Sequence, residues 1–76
     1  MSETMTQLRD VSNRTARSMI AVIDAMTQRG AIKGEELSTI GGLRDQSIQI
    51  IQLAEQVEQE EAMEAAEEAA DAEKSA

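Results

Sequence analysis

Ile40, Leu43, Ser47, Ile50, Ala54 and Val57 alternate spacings of three and four without a break. That rhythm is a heptad seam of an α-helix. A strand cannot hold it, because strand side chains change faces at every residue. Leu37, Ile48, Ile51 and Leu53 flank the seam, and a stripe this broad implies more than one neighbouring helix. An earlier stripe recurs at spacings of three and four without strict alternation: Leu8, Val11, Thr15, Met19, Val22 and Met26, widened by Ile20 and Ile23. It is polar at its start and apolar at its end, so the strongest packing is expected over residues 19–26.

Glycines separate the two stripes. Thr4 and Gln7 have the spacing of a capping box, which predicts a first helix starting near residue 5. Gly30 suits the left-handed C-cap, with Arg29 in the last turn and Ile32 as the apolar contact that folds back. Gly34 precedes Glu35 and Glu36, acids that favour a helix N-terminus. The prediction is an all-α fold, a two-helix antiparallel hairpin over residues 1–57, with helices over about 5–29 and 35–62 and a turn at 30–34. Asp10 and Arg14 are placed for an i,i+4 ion pair. Gly41-Gly42 interrupts the second pattern at a cost of about 1 kcal/mol per glycine. The pair marks a frayed start with the firm helix beginning near Leu43, a close approach of the two helices, or a hinge.

A chain of 76 residues makes a marginal core by itself. Small scaffolds rely on disulfides, metals, partners or unusually good helix packing. This chain has no cysteine, histidine, proline or aromatic residue. Packing and self-association remain, and the breadth of the second stripe points to two hairpins dimerising into a helical bundle.

The same absences narrow the chemistry. Without histidine or cysteine the usual general base and nucleophile are gone. Glu35/Glu36 and Glu60/Glu61/Glu64 are candidate carboxylate groupings, and solvated helix surfaces give them no pocket in which to act. No EF-hand spacing and no phosphate-loop motif occurs. No enzyme, cofactor or metal site is expected.

The net charge is −8, and almost all of it follows Val57. Residues 55–76 hold nine acids against Lys74. Direct binding to nucleic acid or to an anionic membrane is disfavoured. Arg9, Arg14 and Arg17 form the only basic cluster, read as solvated helix charge or as a contact for the acidic tail of a second copy or a partner. Residues 58–76 read as an acidic Ala/Glu tail, helical to about residue 65 and fraying beyond, or disordered throughout. Residues 1–4 lack the features of a signal peptide, and no run of 18 apolar residues occurs, so a cytoplasmic protein is expected.

The segment from Gln28 to Arg44 resembles the turn region of small helical proteins encoded by bacterial viruses, a group to which no activity is attached. In layout alone, with a Met-Ser-Glu start, coiled-coil spacing and an acidic Ala/Glu end, the chain is similar to the tail-fibre assembly chaperones of T-even-type phages. Its glycine-rich turn departs from their continuous coiled coil. The resemblance implies an accessory or assembly role, and then the host cytoplasm as its place.

The expected function is therefore non-catalytic protein binding and self-association, chaperone-like, with a dimer and an unidentified protein partner. The candidate interface is Met19, Val22, Ile23, Met26, Leu37, Ile40, Leu43, Ile48, Ile50, Ile51, Leu53 and Val57. The competing expectation is an acidic inhibitor that mimics nucleic acid and fills a basic site on a host protein.

Overall fold

The computed structural model describes residues 2–75, all but a short link in helix. Helix α1 spans Glu3–Gln28 and helix α2 spans Gly34–Ser75. They fold back on each other as an antiparallel hairpin, 64 Å long and 18 by 16 Å across. No strand occurs among the described residues.

The start of α1 differs from the expected capping box. Ser2 is the N-cap, and its Oγ accepts from the Met5 amide at 3.2 Å. Thr4 lies inside the first turn. Serine caps as well as threonine does, and the earlier cap puts Glu3 in the first turn, where an acid meets the positive end of the helix dipole.

The end of α1 follows the glycine. Gly30 has φ +71°, the only positive φ among the described residues. Its amide donates to the Thr27 carbonyl at 3.0 Å, and the Ala31 amide donates to the Met26 carbonyl at 2.9 Å. Together these are the two bonds of a Schellman motif. Ile32 is half-buried. At the start of α2, the Glu36 carboxylate reaches back to accept from the Lys33 amide at 3.0 Å, one half of a capping box.

The contact between the helices is made by small side chains. Ala16, Ile23 and Ala54 form the buried apolar set, joined by Ser47 at 1% exposure. Arg9, Ala16 and Ile23 are seven apart on α1; Ile40, Ser47, Ala54 and Glu61 are seven apart on α2. Ser47 tolerates burial because its hydroxyl donates to the Leu43 carbonyl of its own helix at 2.9 Å. Helix axes pack 8–10 Å apart depending on the residues between them, and alanine and serine permit the closer end of that range.

On α1 the seam lies to one side of the predicted stripe; on α2 it keeps Ile40, Ser47 and Ala54 of the predicted seam and leaves Leu43 and Ile50 at its edge. Leu8, Val11, Val22 and Met26 of the first stripe are exposed, at 42–60%. Leu43 and Ile50 of the second are each 36% exposed. The strong packing expected at residues 19–26 reduces to Ile23, with Met19 and Ile20 half-buried. Burying small residues lets the backbones come close, and bulky side chains are then displaced to the flanks.

Helix α2 runs to Ser75 rather than ending near residue 62. Alanine and glutamate are strong helix formers. Their propensity outweighs like-charge repulsions of about 0.2–0.5 kcal/mol per i,i+4 pair. Gly41 and Gly42 are neither a helix start nor a close contact. They lie inside α2, and a Cβ built on either meets nothing within 4 Å.

Two outcomes follow. Gly41→Ala and Gly42→Ala should each raise stability by about 0.5–1 kcal/mol in thermal melts followed by circular dichroism. Ala16→Leu should lower it by about 1–3 kcal/mol, since the seam has no room for the added carbons. Unchanged melting of Ala16→Leu would exclude the close-packed seam.

Candidate interaction surface

On one side of the small-residue seam the hairpin presents an open apolar face. Once α1 begins at Glu3, one row along it is Met5, Leu8, Ser12, Thr15, Met19, Val22 and Met26, alternating three and four throughout. The facing row of α2 is Leu43, Gln46, Ile50, Leu53 and Val57. Neither row contains a charged residue.

Two shallow grooves run between the rows. The first, about 540 Å³, is lined near the turn by Met19, Val22, Ile23, Met26, Ile40 and Leu43, with Val11, Arg14, Thr15 and Ser18 at its side. The second, about 230 Å³, is lined near the termini by Met5, Leu8, Arg9, Ser12, Ile50, Leu53, Ala54 and Val57. Nine of the twelve candidate interface residues thus line this face. Leu37 is exposed and lines neither groove. Ile48 and Ile51 are half-buried and also lie outside both. Met5 and Leu8 were not among the candidates. Leu8 stands at the head of the predicted α1 stripe, where the polar start of that stripe argues against it; Met5 continues the row one turn earlier, at the predicted helix start.

Ion pairs fix the register of the hairpin. Arg9 Nη1 donates to Glu61 Oε2 at 2.7 Å, Arg17 Nη2 to Glu55 Oε1 at 3.4 Å, and Arg44 Nε to Asp24 Oδ1 at 2.9 Å. As α1 numbers rise from 9 to 24, their α2 partners fall from 61 to 44. Glu61 thus belongs to the hairpin rather than to a separate tail. The arginine cluster meets acids of its own chain at Arg9 and Arg17, while Arg14 makes no ion pair with the described residues. Asp10 pairs with its neighbour Arg9, Nε to Oδ1 at 3.0 Å, rather than with Arg14. Arg9 is drawn to Glu61 across the seam, and Asp10 follows it.

These pairs differ in setting. Arg17 and Glu55 are more than half exposed, and pairs of that kind contribute little. The Arg9 side chain is only 13% exposed. Its guanidinium is held above its ordinary pKa, chiefly by the hydrogen bond to Glu61 and then by that to Asp10. Arg44 grips Asp24 with two donors, Nε at 2.9 Å and Nη2 at 3.2 Å. That bidentate bond holds the Asp24 carboxyl below its ordinary value of 3.8.

No grouping of three or more metal-ligating side chains occurs among the described residues. Among the described residues no helix is long and apolar enough to cross a membrane. Comparison with known proteins finds no match, whether by family model, curated sequence or solved structure.

Two measurements check this surface. Glu61→Ala should lower the melting temperature more than Glu55→Ala, because it strips a secluded arginine of its cross-helix acceptor; equal effects would contradict the difference in setting. Because the Asp24 pKa is lower folded than unfolded, its pair stabilises the hairpin fully above the ordinary aspartate value. That contribution is lost as pH falls through the depressed folded value. The melting difference between wild type and Asp24→Asn should therefore be constant at neutral pH and shrink as pH falls below the ordinary aspartate value.

Proposed function

We propose that this chain is a non-catalytic assembly protein that works by laying its open apolar face against other helices, first those of a second copy. The observation that carries the proposal is the pair of charge-free apolar rows left outside the hairpin seam, with Leu8 at 60%, Val22 at 56% and Leu53 at 53% exposure.

Surface area supports it. A compact monomer of 8.3 kDa exposes roughly 4,600 Å² by the usual mass scaling. This chain exposes 5983 Å². The elongated shape of the hairpin, 64 Å by 18 Å by 16 Å, underlies the difference and leaves its apolar face uncovered. A standard interface removes about 800 Å² from each partner, which the excess of roughly 1,400 Å² accommodates. The likeness of residues 28–44 to small phage-encoded helical proteins favours an accessory or chaperone-like role within such an assembly, in the cytoplasm of the host.

A second reading draws on a different observation. Because α2 stays helical to Ser75, the carboxylates beyond Val57 are arrayed on a fixed rod, as a nucleic-acid mimic aimed at a basic protein would require.

Light scattering coupled to size exclusion tests the first reading. The wild type should run as a dimer. Val22→Glu combined with Leu53→Glu should give a helical monomer. A wild-type monomer at high concentration would refute self-association. Truncation after Ala66, which keeps Glu61, separates the two readings. The dimer should survive it, whereas a mimic's hold on its basic target should weaken, because four of the eight acids beyond Val57 are removed.

A further inference from the structure

The charge of the hairpin is confined to one end. The seam pair Ala16 and Ala54 divides the hairpin into a turn half and a terminal half. The turn half, residues 16–54, holds Arg17, Arg29, Lys33 and Arg44 against Asp24, Glu35, Glu36 and Asp45, and is neutral. The terminal half holds eleven acids against Arg9, Arg14 and Lys74, and carries the whole −8. The apolar face runs through both halves, and its rows contain no charge that could set an orientation of their own.

Resting on the self-association proposed above, we infer that the second copy docks head to tail, with its turn at the opposite end of the bundle. Two symmetric arrangements bring apolar face to apolar face. With the twofold axis along the helices, both turns lie at one end, and both terminal halves share the other. That end would then concentrate a charge of −16, twice the −8 of one chain. Facing helices stand 8–10 Å apart, about one Debye length at physiological ionic strength, so the repulsion is felt. With the axis across the helices, each −8 half lies against a neutral half. The acidic end of α2, with Glu67 and Glu68, is then carried beside the other copy's turn. Arg29 and Lys33 stand at that turn, and neither makes an ion pair with the described residues of its own chain. The same arrangement overlaps the apolar rows along their length, because their midpoints lie near the dividing seam pair.

Native cysteine is absent, so single spin labels can be placed cleanly. The test is pulsed electron paramagnetic resonance on the full chain labelled at Ala31→Cys, with the mass taken by light scattering. Ala31 is exposed in the turn. Head-to-tail docking puts the two labels roughly 40 Å apart, from a 1.5 Å rise over the residues between turn and twofold axis. Docking with both turns together puts them within about 20 Å, given the spacing of packed helices. Ala66→Cys, also exposed, gives a second reading from the other end, long in the first arrangement and short in the second. A dimer with long distances at both positions supports the inference. A dimer with short distances overturns it and leaves self-association standing. A monomer overturns both, and an assembly of any other size overturns the inference and leaves self-association standing.

Discussion

The hairpin depends on a seam of small residues. Ala16, Ser47 and Ala54 are each buried almost completely, and they bury little area. What they supply is proximity: the backbones approach, and neighbouring methylenes pack across a short gap. The consequence is geometric. When the line of closest contact is occupied by alanine and serine, leucine, valine and methionine must stand to one side of it. The open apolar face is a direct product of the close seam.

Proximity alone leaves the register loose, since a row of alanines can slide. The ion pairs oppose that. Arg9 with Glu61 and Asp24 with Arg44 join the helices near the two ends of α1. A slide of one helical turn would carry each charge away from its partner. Because the pairs are at least partly exposed, their weight lies in selecting one alignment more than in stabilising it. The electrostatic polarity of the molecule has a separate origin, the run of acids that the sequence places after Val57.

Much of the hairpin was legible in the residues. The turn at Gly30 could be read because only a residue without Cβ accepts φ +71° at no steric cost. The direction of the fold followed from the short link between two periodic segments. Two errors share a cause. Thr4 and Gln7 matched a capping pattern, yet Ser2 capped the helix two residues earlier by accepting from the Met5 amide. Leu43, Ser47, Ile50 and Ala54 all matched one heptad seam, yet only Ser47 and Ala54 took the centre. In each case several residues satisfied a local rule, and the local rule does not rank them. The acidic end of α2 is a third instance. Charge repulsion argued for fraying, but alanine's helix propensity acts at every turn.

By itself the sequence determined that the chain is helical, that it turns at Gly30, and that its acids gather after Val57. Those properties rest on backbone sterics, local propensity and simple order along the chain. Only the tertiary structure decided which side of each helix faces the other. A helix carrying apolar residues over half its circumference can pack through any part of that arc. The choice is made by the partner helix, where alanine and serine allow the closest approach and Arg9, Asp24 and Arg44 find their counterparts. That choice leaves Leu8, Val22 and Leu53 facing outward, and it places the apolar face where another helix can reach it.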